Sequence, residues 1–351
     1  MAPFSVLFYV LLSITGHVLC EEVIYDEIEL LSTTEKMIVD LEAHSDVENL
    51  LVKFQEIATK AEKLNNDISV TQEEIEDEYN KMIDVLSELT ELVKDSNKAF
   101  IFLKAKGIDR VAVTYLKIEN NELKAKILIL LKVLFHEVPS ATVAAIPIFI
   151  VDRLINIFEN DNLALKAHSL DVLYLWLPDN PRVQARVMKI KGLQPFYEQI
   201  SMLDTNVIKM LLDLFNKILD EHLKARSDVQ KRIIDAEKLK FYQRIGLLEH
   251  MSTPMVCNGL LNIFTRTWSY NSKDNNILMT VFELLKNVKQ FCVNIFRGKA
   301  KAVKLFKALQ EYVESPENKE NFILNGLNIT DVALVIEDYV QKVKPLTKDE
   351  F

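Results

Sequence analysis

The side chains best able to do chemistry are few in this chain, and they stand apart. Of the six histidines in 351 residues, five follow residue 20: His44, His136, His168, His222 and His250. None belongs to a His-x-x-x-His pair or lies beside a zinc-type cysteine spacing, so no metal site is expected. There is no Walker loop, dinucleotide fingerprint or nucleophile elbow. With only 7 glycines in the chain, a phosphate cradle built from backbone N–H groups has little material. No Cys-x-x-Cys occurs, which leaves thiol exchange unsupported. The expectation is a protein that is not an enzyme and uses no cofactor.

The two ends of the chain suggest an address. Residues Phe4 to Ile14 form an apolar run of 11, too short for the roughly 20 residues a membrane span needs. Glu21 and Glu22 follow Cys20, so residues 1–20 read as a secretory signal peptide, with Val18 and Cys20 before the cut. Later apolar runs are broken by charge, so no membrane insertion is expected. The last four residues, Lys348, Asp349, Glu350 and Phe351, resemble the Lys-Asp-Glu-Leu retrieval signal, with phenylalanine at the final position. The expected location is the lumen of the endoplasmic reticulum, with a retrieval receptor as one partner. There Cys257 and Cys292 could pair. Each sits among apolar residues (Val256 and Leu260; Phe291 and Ile295), and two separate buried thiols are the expected state. Asn328-Ile329-Thr330 is the one glycosylation sequon after residue 20, which makes Asn328 a candidate acceptor.

Composition sets the class of element that carries these residues. Hydrophobic residues make up 49% and charged residues 26% of the chain, with 7 glycines and 9 prolines. That starves the sequence of the tight turns that strands require and favours an all-α protein. Charge is divided unevenly. Residues 21–95 hold 22 acids and 6 bases, whereas residues 96–351 hold 29 acids and 36 bases. The bases are spread along helices rather than clustered, so no nucleic-acid partner is expected; an acidic protein surface suits the basic body better. Solvated helix faces would give the same asymmetry.

Self-similarity then points to a repeat. Lys104-Ala105-Lys106-Gly107-Ile108 returns as Lys189-Ile190-Lys191-Gly192-Leu193, two periods of about 42 residues later. Val183–Val187 is echoed by Val229–Ile233, and Phe196–Ile200 by Phe241–Ile245, at offsets of 46 and 45. Periods of this size belong to armadillo-like units, in which each set of helices buries its apolar face only by stacking on the next. Gly107 or Gly192 would supply a positive φ at the corner, and Asp179-Asn180-Pro181 a turn that starts the next helix. The organisation expected is an acidic, loosely packed or partly disordered helical arm over 21–75 and about four armadillo-like repeats over 76–300. Capping helices follow over 301–345, with Val303, Leu305, Phe306, Val332, Leu334 and Ile336 among their apolar positions, and a tail over 346–351. Ser69-Val70-Thr71 before Glu73 and Glu74 marks a capped helix start. In such a stack the last helix of each unit faces a partner. Three-and-four spacing puts Asp171 and Tyr174 on that face of one unit, and Lys209, Asp213 and Asn216 on the equivalent face of the next.

The combination of Asp179-Asn180-Pro181-Arg182-Val183-Gln184, Gly192-Leu193-Gln194, Glu237-Lys238-Leu239, Tyr242 and Leu247-Leu248, between a signal peptide and a Lys-Asp-Glu-type tail, resembles the Sil family. The resemblance spans residues 76–315. It implies a nucleotide exchange factor that binds, as a monomer, the ATPase domain of BiP, the luminal chaperone of the heat-shock protein 70 family, and promotes ADP release during folding and translocation. The alternative is a luminal scaffold or peptide-binding holdase without exchange activity.

Overall fold

The computed structural model describes residues 41–67, 69–139, 142, 146–199, 203–227, 233–271, 275–324 and 326–345. The signal peptide and the four retrieval residues lie outside them. Among the described residues the chain is all helical, without strands, and none of its helices is long and apolar enough to cross a membrane. These residues sort into two compact units, one drawn from Met1–Thr114 and Val133–Pro147, the other from Tyr115–Lys132 and Ile148–Phe351.

The first unit is built on an apolar seam. Helix α1 (Leu41–Asn65) buries Val47, Leu51, Phe54, Ala58 and Ala61 at intervals of three or four residues. They face Ile75, Met82, Leu86 and Leu89 of α2 (Gln72–Leu92). Each fully buried leucine or phenylalanine contributes roughly 1.5 to 3 kcal/mol, against about 0 to 1 kcal/mol for an exposed ion pair, so the seam holds the pair together. The start of α2 is the expected capping box: Thr71 Oγ1 accepts from Glu74 N, and Glu74 Oε2 accepts from Thr71 N at 3.0 Å. Helix α3 (Ser96–Lys104) also packs on α1, and Arg110 reaches back to Glu48 and Gln55, both at 2.8 Å. Residues 41–65 are thus helical, as the periodicity of Leu41, Leu50, Leu51 and Phe54 predicts, but well packed and not the loose arm expected there. Strong negative charge hid a narrow but unbroken apolar stripe.

The division between units falls within α4 (Asn121–Glu137). In the second unit α5 (Ile150–Asn160) pairs with α6 (Leu163–Trp176), and α7 (Pro181–Ile190) and the short α8 (Gln194–Glu198) lead to α9 (Thr205–Ser227). Next come α10 (Ile233–Ile245), α11 (Leu247–Met251), α12 (Pro254–Asn271) and α13 (Asn275–Phe296). The unit closes with α14 (Ala300–Glu314), α15 (Lys319–Leu324) and α16 (Ile329–Lys342). Its organising feature is a ladder: α6 packs on α9, α9 on α13 and α13 on α16. The apolar faces meet as a helical repeat requires, with Leu165, Leu170, Leu173 and Leu177 buried, and Leu211, Leu212 and Leu214 one step on. The ladder helices begin at residues 163, 205, 275 and 329, so the expected period of 42 to 46 holds for the first step only. Nor is the echo of Phe196–Ile200 in Phe241–Ile245 a structural equivalence. Phe196 is buried in the first copy, but in the second Tyr242 goes inward and Phe241 is only half-buried.

Two corners show what the repeated Lys-x-Lys-Gly segment does. Gly192 takes φ +65° as expected, but in the earlier copy the left-handed residue is Lys106, at φ +56°. Gly107 is needed for a different reason: a Cβ there would stand 2.4 to 2.6 Å from the Phe102 ring. At the other expected turn Asp179 adopts φ +57°, Asn180 caps α7 and Pro181 occupies its first turn. Cys257 on α12 and Cys292 on α13 are fully buried and joined as a disulfide, where separate thiols were expected. Burial among apolar residues does not decide pairing; the close packing of α12 on α13 does.

A candidate partner-binding face on the ladder helices

The side chains that join adjacent ladder helices are polar and paired. Tyr174 on α6 donates its hydroxyl to Asp213 Oδ2 on α9, and Lys217, one turn beyond Asp213, donates to the Tyr174 hydroxyl. Lys217 Nζ also lies 3.3 Å from Asp213 and 3.9 Å from the centroid of the Tyr174 ring. This geometry combines an ion pair with a cation–π contact. Burial, and next the hydrogen bond to Asp213, raise the Tyr174 pKa. Burial works against the Lys217 ammonium, but Tyr174 and the charge of Asp213 outweigh it, so its pKa lies above the ordinary lysine value. At neutral pH the cluster is therefore a neutral phenol between fixed opposite charges.

Similar rungs flank it. Lys132 Nζ meets Asp171 Oδ2 at 2.8 Å. Toward the C-terminus, Lys289 on α13 and Lys342 on α16 hold Asp338 at 2.6 and 3.0 Å. Burial opposes the Asp338 charge, and the two lysines overcome it, holding its pKa below the ordinary aspartate value. Between these rungs Glu283 is pushed upward, first by loss of water around it and then by the charges of Asp213 and Asp220.

One turn further along α9 lies a more enclosed network. Glu221 accepts from Asp179 N, Gln184 Nε2 and the Tyr242 hydroxyl, each at 2.9 Å. Gln184 also donates to Leu177 O, and its Oε1 lies 2.9 Å from His222 Nε2. The network ties α7, α9 and α10 to the turn after α6. Burial raises the Glu221 pKa, and burial, aided by Arg226, lowers that of His222 to about 4. Beside it lies a cavity of about 30 Å³ whose wall includes Leu177, Val187, Phe196, Gln184 and His222. That is space for a few waters, not for a drug-sized ligand. Among the described residues no group of three or more His, Cys, Asp or Glu could hold a metal ion.

Of the residues expected on the partner face, the structure brings Tyr174 and Asp213 into one cluster. Asp171 is placed on the neighbouring rung, and Lys209 is exposed one turn before Asp213. Asn216 is a correction. It is 4% exposed; its amide donates to Thr280 O at 3.1 Å and its oxygen accepts from Asn287 at 3.2 Å. It fastens α9 to α13 and does not face solvent. Lys217 was missed, although its spacing of four from Asp213 is a pairing signal. Asn328 is exposed and caps α16, its Oδ1 accepting from Thr330 N at 3.0 Å.

No protein-family model and no curated protein matches the chain. Among solved structures, a designed armadillo repeat protein in complex with the peptide (KR)4 is similar, with 11% identity and a TM-score of 0.44, over 82% of this chain and 99% of that one. A second designed armadillo repeat protein aligns at 11% identity with a TM-score of 0.43, over 81% and 98% of the two chains. An engineered protein aligns at 12% identity with a TM-score of 0.43, over 79% and 98%.

Proposed function

We propose that the ladder helices form a docking face for another folded protein, and that the chain acts as a nucleotide exchange factor for BiP in the lumen of the endoplasmic reticulum. The observation that carries the docking reading is the Tyr174–Asp213–Lys217 cluster, a half-exposed aromatic flanked by both charges where two stacked helices meet. Tyrosine with charged neighbours is a common hot-spot chemistry. The narrower identity comes from the Sil-family resemblance of residues 76–315. The Cys257–Cys292 disulfide supports an oxidising compartment. On this reading the protein makes and breaks no bond: a partner that grips the open state of the BiP ATPase domain more tightly by some factor weakens nucleotide binding by the same factor, so ADP leaves faster.

A peptide-binding holdase is the weaker reading. An extended peptide repeats its backbone groups, so a groove that reads one profits from repeating the same donors. Here the rungs are Lys–Asp, Tyr–Asp–Lys and Lys–Asp–Lys, which change in chemistry from step to step. The test is stopped-flow release of a fluorescent ADP analogue from BiP with and without residues 21–351. Acceleration is expected. No acceleration at saturating protein would sink the exchange-factor assignment, and capture of extended peptides in its place would favour the holdase.

A further inference from the structure

The C-terminal end of the second unit exposes apolar surface where a helical repeat needs a polar cap. Stacked repeats bury their apolar faces against neighbours, and a face that no neighbour covers is normally polar. Here Ile323 and Leu324 at the end of α15 are 71% and 82% exposed, and Leu334 on α16, one of the apolar positions of the capping helices, is 60% exposed. α15 packs on α16. The connection between these positions holds the sequon Asn328-Ile329-Thr330, with Asn328 exposed.

The side-chain geometry at Asn328 suits modification. Its Oδ1 accepts from the Thr330 N–H at 3.0 Å, which requires the oxygen to face the helix and leaves Nδ2 as the outward atom. Among the described residues Nδ2 makes no hydrogen bond. Attachment of a sugar to Nδ2 leaves Oδ1 a carbonyl oxygen, so the cap of α16 survives the change. Aspartate at the same position would keep the cap and remove the acceptor nitrogen.

We infer that Asn328 carries an N-linked oligosaccharide, and that this glycan supplies the polar cover that Ile323, Leu324 and Leu334 lack. The donor is a lipid-pyrophosphate-linked oligosaccharide. A bond forms between Asn328 Nδ2 and the anomeric carbon of the first sugar, while the bond from that carbon to the pyrophosphate oxygen breaks. The lipid pyrophosphate leaves with the electron pair, and the amide proton passes to a base of the transferase. The glycan is bulky and solubilising, and its attachment point lies in the connection from α15 to α16, four residues after Leu324 and six before Leu334. The inference rests on the luminal reading above, which the disulfide supports independently of the sequon.

The test is translation of the full chain into rough microsomes, read by protease protection and by glycosidase-sensitive gel mobility. The protected wild-type chain should show one glycosidase-sensitive step, absent from Asn328→Asp and from Thr330→Ala. A protected wild-type chain with no step, or a step kept in both variants, overturns the glycan while leaving the luminal location standing. A chain that is not protected overturns both. For the covering role, light scattering at equal concentration should show Asn328→Asp self-associating several-fold more than the glycosylated wild type, and Asn328→Asp with Ile323→Lys and Leu324→Lys returning to a single species. Equal behaviour of wild type and Asn328→Asp would refute that role.

Discussion

Helix α9 carries two polar clusters, one turn apart, that differ in kind. Asp213 and Lys217 sit on the half-exposed side with Tyr174. Glu221 and His222 point into the structure toward Gln184 and Tyr242. The outer cluster keeps much of its hydration when disrupted, because water can replace a lost partner. The inner one is more enclosed, and each group left without a partner there costs about 1 to 3 kcal/mol. The outer cluster is thus free to evolve toward a partner, whereas the inner one is bound to the fold.

The comparison can be broken most directly at Glu221. Glu221→Ala removes the shared acceptor of a backbone N–H, an amide and a phenol at once, and should lower stability by about 3 kcal/mol, read from the urea midpoint. A shift below about 1 kcal/mol would mean that water reaches the cluster after all. His222 gives the pH signature. Its folded pKa of about 4 lies below its ordinary value near 6.5, so its contribution is complete above pH 6.5 and is lost as pH falls toward 4. Glu221, raised by burial, works in the other direction: it favours the fold at low pH and loses that contribution as pH rises past the ordinary carboxylate range. Unfolding at pH 7 and pH 4.5 should therefore show a loss of about 2 kcal/mol at the lower pH, reduced in His222→Gln. An unchanged pH dependence in that variant would place the titration elsewhere.

The smallest stability effects sharpen the contrast. Asn216→Ala should cost about 1 kcal/mol by releasing Thr280 O and Asn287, with no direct effect on a partner. Asp213→Arg, one helical turn away, should change stability by less than about 1 kcal/mol, yet, under the exchange-factor proposal, weaken binding to BiP and reduce any acceleration of ADP release. If Asn216→Ala affects binding more than Asp213→Arg does, the docking face has been placed on the wrong side of α9.

These two residues also show how far the sequence could be read. Three-and-four spacing set Tyr174 and Asp213 on equivalent faces of successive helices, and the structure joins the two by a hydrogen bond. It failed for Asn216, because α9 packs on α6, α10, α11 and α13 and its buried arc is wider than the leucines alone indicate. The capping box at Thr71 and the turn at Asp179 were legible because they are local. The Cys257–Cys292 bond and the pairing of α1 with α2 depend on which helices meet, and helix periodicity carries no such information.

Lys166 has a consequence of a practical kind. Though a lysine, it is only 3% exposed, and its ammonium donates to Phe158 O at 2.8 Å, Glu159 O at 2.6 Å and Gln199 Oε1 at 2.8 Å. Three N–H groups meet three acceptors, while burial works against the ammonium and lowers its pKa. The amine is therefore closed to acylating reagents while α5, α6 and the turn after α8 stay together. Its labelling rate, followed by mass spectrometry against the exposed lysines of the same chain, becomes an internal clock for the opening of this one repeat.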